Sequence, residues 1–158
     1  MLAIVWHSRT GAARAMAQAA WDGAGAGRAC LIPAEDATPE QLLAASGYLF
    51  ACPENLATMS GAMKEMFDRA YYPLLGWVEG RPYTTLIAAG SDGRGAQAQI
   101  DRIATGWRLR RIAPGLIVNL DAQTPERILA AKVVPPDLLA QCRELGEGFA
   151  EGLDAGIF

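Results

Sequence analysis

The sequence contains few of the residues that build metal centres or disulfide frameworks. His7 is the only histidine, and the three cysteines, Cys30, Cys52 and Cys142, are odd in number and form no CxxC pair. One histidine excludes a multi-histidine metal site and leaves at most one imidazole for acid–base chemistry. The cysteine pattern indicates neither a zinc knuckle nor a disulfide scaffold. We therefore expect no bound metal and reduced thiols.

Long hydrophobic runs and a dominant charge are also missing. No apolar stretch approaches the length of a membrane span, and the first residues lack the basic start of a signal peptide. The formal net charge is −3, and the Lys and Arg residues are scattered except at Arg108, Arg110 and Arg111. A broad basic face for nucleic acid is not predicted. We expect a cytoplasmic protein with neither a membrane nor a nucleic-acid partner.

Several nucleotide-binding and catalytic signatures are absent. The glycine-rich segment 23–27 misses the GxGxxG spacing, and neither GxxxxGK[ST] nor GxSxG occurs. A phospho-receiver domain needs an aspartate at the end of the third strand and an acidic pair after the first, but Cys52 and His7 stand at those places. These absences argue against a dinucleotide fingerprint, a P-loop nucleotidase, an α/β hydrolase and a receiver domain.

The chain alternates between short apolar runs and longer segments of helical period. Its 158 residues, 51% of them hydrophobic, suit one globular domain over residues 1–158. Five near-continuous hydrophobic runs are predicted to be strands covered on both faces: residues 2–6, 29–32, 48–52, 83–89 and 116–120. Helices are predicted over residues 11–21, 39–45, 60–72, 95–107 and 136–153. This alternation predicts a three-layer α/β sandwich with right-handed parallel crossovers.

The loop after the first predicted strand, His7 to Gly11, carries the hydroxyl groups of Ser8 and Thr10 directly before an alanine-rich helix. Free backbone N–H groups and the positive end of the helix dipole meet at such a place, which favours phosphate binding. A Thr10 helix cap with nothing bound is the alternative interpretation.

Two further loops lie at the same carboxyl edge, where open α/β sheets bind their ligands. Residues 53–61 leave the third strand and enter a helix that Thr58 or Ser60 is expected to cap. Residues 90–95 contain three glycines, which either let the backbone approach a flat ligand closely or form a plain turn.

These three loops, taken in order, resemble those of the flavodoxin-like flavoproteins, specifically the branch of NAD(P)H-dependent FMN and quinone reductases. Ser8-Arg9-Thr10-Gly11 is similar to the family's phosphate loop. Pro53-Glu54-Asn55, followed by Met59-Ser60-Gly61 and Lys64, is similar to the loop that runs along one edge of the isoalloxazine. Residues 90–95 fall where the family has its other ring-contacting loop. The resemblance covers nearly the whole chain and implies a five-stranded parallel sheet of order 2-1-3-4-5.

The resemblance implies FMN as the cofactor, NADH or NADPH as the co-substrate, and a small quinone-like or flavin molecule as the electron acceptor. No catalytic side chain is implied, because the flavin carries the chemistry. A homo-oligomer, dimer or tetramer, is implied as well. The matched loops give as cofactor-binding residues Ser8, Arg9, Thr10, Gly11, Pro53, Glu54, Asn55, Leu56, Ala57, Gly90, Ser91, Asp92, Gly93 and Gly95.

The absence of aromatic residues from two of these loops indicates the type of flavin chemistry. Neither residues 53–61 nor residues 90–95 contain an aromatic residue. At least one ring face is therefore expected to be open to a nicotinamide or a quinone, which favours hydride transfer. Ala13 stands where flavodoxins often carry a further threonine, so one hydroxyl contact to FMN is lost. A non-catalytic FMN module, either a one-electron carrier or a signalling protein, is the alternative.

An apolar cluster follows the third predicted helix. It consists of Tyr71, Tyr72, Leu74, Leu75 and Trp77. Core or loop packing is one interpretation of this cluster, and a substrate mouth or an oligomer contact is the other.

Overall fold

A parallel sheet with helices on both faces forms the centre of the molecule. The computed structural model describes residues 1–158. The strands are β1 (Leu2–Trp6), β2 (Ala29–Pro33), β3 (Gly47–Asn55), β4 (Thr58–Met59), β5 (Pro82–Ala89), β6 (Arg110–Arg111) and β7 (Leu116–Asn119). The helices are α1 (Ala12–Ala24), α2 (Pro39–Ala44), α3 (Gly61–Leu74), α4 (Arg94–Gly106), α5 (Pro125–Leu129) and α6 (Pro136–Asp154).

The strand order is β2-β1-β3-β5, and both β6 and β7 pair with β5 on its outer side. For the five longer strands, this is the predicted order 2-1-3-4-5. The predicted number is wrong, because the sheet has seven strands. β4 is a two-residue strand antiparallel to β3. β6 is a second short strand, separated from β7 by residues 112–115, where Pro114 has no N–H to donate to a ladder.

Alternating side chains of each strand enter two separate hydrophobic cores. In β1, Ala3 and Val5 pack into the core covered by α2, α3 and α4, whereas Leu2 and Ile4 pack into the core covered by α1 and α6. The strands are therefore apolar on both faces, which explains why they appear in the sequence as continuous hydrophobic runs. The two helix layers leave the carboxyl ends of the strands open between them.

The contact between α1 and α6 depends on small residues. α1 is rich in alanine, and its buried face includes Ala13, Ala17 and Ala20. Gly146 of α6 lies so close to this face that a Cβ on it would overlap the carbonyl group of Ala20. This close contact packs α1 against α6 on one face of the sheet.

The predicted helices are all present, with ends shifted by a few residues. α5 is a sixth helix that the periodicity did not predict. It is five residues long and its N-cap is Thr124, whose side chain accepts a hydrogen bond from the Arg127 N–H. No helix in the chain combines the length and the apolar character needed to cross a membrane.

Candidate functional site

One cavity of about 430 Å³ opens at the carboxyl ends of β1, β3 and β5. This volume falls in the range of small-molecule sites. Ten of the predicted binding residues line it: Ser8, Arg9, Thr10, Pro53, Glu54, Asn55, Leu56, Ala57, Gly90 and Ser91. The other four, Gly11, Asp92, Gly93 and Gly95, do not line it. No lining residue is aromatic, so no aromatic side chain would stack on a flat ligand in this cavity.

The first loop offers free backbone N–H groups at the start of α1. The N-cap is Gly11, whose φ of 98° lies in the left-handed region that favours glycine. Its N–H donates to Ser8 Oγ over 3.1 Å. No side chain caps α1, so the alternative of a Thr10 cap is wrong. The N–H groups of Thr10, Ala12 and Ala13 have no hydrogen-bond partner within the chain, and together with the helix dipole they suit an anion.

The second loop is a β-hairpin. β3 continues beyond its predicted end and pairs with β4, which places Glu54 opposite Met59. We call residues 53–59 the hairpin. Its turn consists of Leu56 and Ala57, whose φ angles of 52° and 62° lie in the left-handed region. That conformation costs a residue with a Cβ about 1 kcal/mol or more. The N–H groups of both turn residues have no partner within the chain.

Neither Thr58 nor Ser60 caps α3 with its side chain. Ser60 stands at the N-cap position without a cap hydrogen bond, and its buried Oγ lies 2.9 Å from His7 Nδ1. His7 Nε2 lies 3.6 Å from a carboxylate oxygen of Glu35. The only histidine therefore connects the end of β1 to the start of α3, and it is not a lining residue of the cavity.

Both oxygens of the Glu54 carboxylate accept hydrogen bonds from backbone N–H groups of the protein. Oε1 accepts a hydrogen bond from the Gly93 N–H at 2.8 Å, and Oε2 accepts one from the Ala96 N–H at 3.0 Å. The side chain thus supplies the amino end of α4 with acceptors from another element. The resemblance implied that Glu54 binds the cofactor, and the hydrogen bonds of its side chain to α4 were not predicted.

Part of the third loop lines the cavity, and the rest of it fixes the conformation of the loop and caps α4. Gly90 and Ser91 line the cavity. Gly93 is the N-cap of α4 with a φ of 92°, and a Cβ on Gly95 would overlap the carbonyl oxygen of Ala57. Asp92 is exposed and pairs with Arg94, and this hydrogen bond lowers the pKa of the Asp92 carboxyl. Three of the four predicted residues that miss the cavity therefore shape or cap the loop instead.

A segment after β7 completes the cavity, and sequence reasoning missed it. We call residues 120–134 the strap. Its lining residues are Leu120, Ala122, Ile128, Leu129 and Lys132. The Lys132 N–H donates to the Thr10 carbonyl over 2.8 Å, and Lys132 Nζ donates to the carbonyls of Arg127, Ile128 and Ala130. A Thr-Pro pair at the start of α5 was the available sequence signal for a helix here.

The cavity lies between elements that belong to opposite layers. The hairpin is bonded to α4 on one side of the sheet, and the strap is bonded to the loop that precedes α1 on the other side. Leu56 at the hairpin tip is 99% exposed, and Leu129 on the strap is 73% exposed. The mouth is therefore apolar on both sides.

Two polar groups near the first loop are unusual. The indole Nε1 of Trp6, the last residue of β1, is buried without a hydrogen-bond partner. The Arg14 guanidinium lies 5.8 Å from the centre of the Trp6 ring. Arg9 is exposed and lines the cavity.

No group of His, Cys, Asp and Glu side chains is arranged to hold a metal ion.

The apolar cluster predicted to follow the third helix does not line the cavity, and its members Tyr71, Tyr72 and Leu74 lie within the last turns of α3. Leu74 is buried, and Tyr71 stacks on the buried Trp107 with ring centres 5.9 Å apart. Tyr72 and Trp77 are exposed. The interpretation of this cluster as a substrate mouth is therefore wrong for this cavity, and packing applies only to its inner members.

Comparisons with known proteins agree with this geometry. The family model of the NADPH-dependent FMN reductases matches residues 33–124, a stretch that contains the second and third loops. No curated protein matches the sequence.

Among solved structures, the chain is similar to an archaeal flavodoxin, with 18% identity, a TM-score of 0.75, and coverage of 98% of this chain and 99% of that one. It is also similar to a flavodoxin, WrbA-like protein from Agrobacterium tumefaciens, with 21% identity, a TM-score of 0.70 and coverage of 95% and 94%. A flavodiiron protein from Giardia intestinalis matches at 18% identity and a TM-score of 0.76, over 98% of this chain and 36% of its own. The fold is flavodoxin-like, as predicted.

Proposed function

Since this chain belongs to the NADPH-dependent FMN reductase family, we propose that its cavity binds FMN and that the protein transfers a hydride from NADH or NADPH, through the flavin, to a quinone-like or flavin acceptor. The observation that carries the proposal is the presence of partnerless backbone N–H groups at two places around one cavity: the start of α1 and the hairpin turn.

The start of α1 suits the phosphate of FMN. A phosphate monoester carries close to two negative charges near neutral pH. The N–H groups of Thr10, Ala12 and Ala13, the Ser8 and Thr10 hydroxyls and the positive end of a 13-residue helix are the groups that would hold it. A lysine is not required in such a site. Because Ala13 supplies no hydroxyl, we expect weaker retention of FMN than in flavodoxins that carry a threonine there.

The hairpin turn suits the pyrimidine edge of the ring. The free N–H groups of Leu56 and Ala57 are fixed donors, and such donors stabilise negative charge without reorganisation. When bound, FMN supplies the hydride-accepting chemistry. The protein contributes orientation, hydrogen bonding and an open approach. The cavity contains one carboxylate, Glu54, and both of its oxygens are already bonded to α4.

A one-electron carrier or a flavin-dependent signalling module is the second candidate. It is favoured by the similarity to flavodoxins. Hydride transfer is favoured by the absence of aromatic side chains from the cavity lining, which leaves a ring face accessible to a nicotinamide. It is also favoured by the modest net charge of −3, since a carrier that docks by charge is expected to be more acidic.

A flavin titration followed by anaerobic reduction tests the proposal. The protein should quench FMN fluorescence on binding, and NADPH or NADH should then bleach the yellow complex. Thr10→Glu should abolish binding, because it places a negative charge among the phosphate donors. Thr105→Glu, on the exposed side of α4, adds the same charge away from the cavity and should bind FMN as the unchanged protein does.

The outcomes separate the candidates. A protein that binds no FMN at saturating concentration contradicts the proposal. Binding without bleaching by either nicotinamide supports the carrier. Steady-state turnover with a small panel of quinones and free flavins then identifies the class of acceptor.

A further inference from the structure

The hairpin turn adopts a conformation that its own residues disfavour. Turns of this kind normally carry Asn-Gly or Asp-Gly, whereas this one carries Leu56 and Ala57 with φ angles of 52° and 62°. The Leu56 side chain is 99% exposed, so it does not fix the turn by packing. The N–H groups of the two residues have no partner. The force that holds the turn must come from outside the hairpin.

α4 provides that force at both strands of the hairpin. The Glu54 carboxylate, on β3, accepts from the Gly93 and Ala96 N–H groups at 2.8 Å and 3.0 Å. Gln99 Oε1, on α4, accepts from the Met59 N–H, on β4, over 2.8 Å. Glu54 and Met59 stand opposite each other in the ladder, so the hairpin is attached to α4 through both of its strands at one level.

The first turn of α4 also contacts the hairpin turn directly. The carbonyl oxygen of Ala57 occupies the space where a Cβ of Gly95 would be. Only glycine allows this approach. The carboxylate of Glu54 lies at the positive end of a 13-residue helix, where a negative charge is stabilised. Its attachment to α4 is therefore electrostatic as well as geometric.

We propose that Glu54 and Gln99 are positioning residues that hold the hairpin turn in its left-handed conformation, and that this sets the affinity of the site for FMN and the reduction potential of the bound flavin. The inference rests on the proposed function of the cavity. Neither residue needs to touch the flavin through its side chain, because each acts through the backbone of the hairpin.

Three variants and a matched control test the inference. Glu54→Ala removes two hydrogen bonds from the attachment, Gln99→Ala removes one, and Glu54→Gln keeps the shape but removes the charge. Thr38→Ala is the control, because Thr38 caps α2 with its side chain, is not a cavity residue and costs a helix cap of the same kind. FMN affinity is measured by fluorescence quenching and stability by the thermal midpoint of the FMN-free protein.

We expect Glu54→Ala to raise the Kd for FMN about tenfold or more and Gln99→Ala to raise it several-fold, since each lost hydrogen bond loosens the turn. Thr38→Ala should change the Kd by less than about twofold despite its loss of stability. Gln99→Ala, which changes no charge, should make the midpoint potential of bound FMN more negative, because looser N–H donors stabilise the negative charge of the reduced ring less well. Glu54→Gln should raise the Kd less than Glu54→Ala does, because it keeps one of the two acceptors. Equal effects of Glu54→Ala and Thr38→Ala on the Kd would overturn the inference.

Hydrogen exchange in the FMN-free protein keeps this test separate from the proposed function. The amides of Asn55 and Thr58, which face each other in the hairpin ladder, should exchange faster in Glu54→Ala and Gln99→Ala and at an unchanged rate in Thr38→Ala. If the protein binds no FMN, the proposed function fails and this measurement still decides whether α4 holds the hairpin. Unchanged exchange in both variants would overturn the inference even where FMN binds.

Discussion

Single side chains decide how open the cavity is. Ser91 is exposed, lines the cavity and belongs to the loop after β5, whereas the proposed phosphate loop follows β1. Its φ angle is not in the left-handed region, so a larger residue is compatible with its backbone. A ring attached here would extend over the space that we assign to the flavin.

We predict that Ser91→Tyr slows the reduction of bound FMN by NADPH about tenfold or more, because the added ring competes with the nicotinamide for the open face. FMN affinity should be unchanged or higher, since aromatic stacking is favourable. Stopped-flow absorbance under anaerobic conditions measures the rate, and Ser91→Thr is the matched control without a ring. An unchanged rate in Ser91→Tyr would mean that the nicotinamide approaches from elsewhere.

The residues of the site that could be predicted are those with a local signal. The hydroxyl-and-glycine sequence before α1 and the Pro-Glu-Asn sequence at the end of β3 both identify residues that line the cavity. The carboxylate of Glu54 could not be assigned, because its partners, Gly93 and Ala96, lie about forty residues away along the chain. A bond of that kind depends on the packing of two elements and leaves no periodic pattern.

Helices can pack closely where a glycine has no side chain. In α6, one glycine lies at such a contact and a second glycine lies away from it, so the two can be compared. Gly146 faces α1, and a Cβ on it would overlap the Ala20 carbonyl, whereas a Cβ on Gly148 would meet nothing within 4 Å. Both residues lie inside the same helix. The two positions therefore differ in contact and not in local conformation.

We predict opposite effects for alanine at these two positions. Gly146→Ala should lower the free energy of unfolding by about 1–3 kcal/mol, because α6 must move away from α1. Gly148→Ala should raise it by about 0.5–1 kcal/mol, since alanine is the better helix former. Urea unfolding followed by circular dichroism measures both values. A neutral Gly146→Ala would show that the two helices adjust without cost.

Long elements were predictable, and short ones were not. The five longer strands contribute side chains to both cores and give continuous apolar runs, and helices α3 and α4 repeat their buried residues with helical period. β4 and β6 have two residues each, too few for any period. α5 has five residues and none of them is buried, so it is too short to show an apolar face by its period. The Thr124-Pro125 pair at its N-cap and first position was the only local indication.

At the scale of the whole molecule, two cysteine thiols and one tyrosine hydroxyl make the free energy of unfolding depend on pH in the alkaline range. Burial raises the pKa of the Cys52 thiol to about 12 and that of the Cys142 thiol to about 11, from an ordinary value of 9.0. Burial and the hydrogen bond to Asp101 raise the pKa of Tyr83 to about 12. The folded protein thus keeps protons that the unfolded chain releases.

We predict that the protein loses stability as the pH rises above the ordinary thiol value of 9.0 and towards about 12. In this range the unfolded state binds fewer protons, so the Cys52 thiol lowers the free energy of unfolding by up to about 1.4 kcal/mol per pH unit. Below that range the contribution is fully present. Urea unfolding at several alkaline pH values measures the slope, and Cys52→Ala should reduce it. Equal slopes in the unchanged protein and in Cys52→Ala would mean that Cys52 titrates in the folded state as it does in the unfolded chain.

The assembly and location of the protein stay predictions from the sequence. A homo-oligomer is expected from the resemblance, and sedimentation velocity measures it directly. The exposed Tyr72 and Trp77 are available to such an assembly because they take no part in the core or the cavity.

The interruption of the outer strand also limits how copies of the chain can meet. A continuous last strand would offer a row of free N–H and C=O groups to the sheet of a neighbouring molecule, the usual route to fibrous aggregation. Here the row is broken between β6 and β7, with the cationic Arg110 and Arg111 on one side of the break and Pro114 within it. The edge formed by β6 and β7 is therefore a poor template for a strand of a second molecule, because no uninterrupted row of backbone groups runs along it.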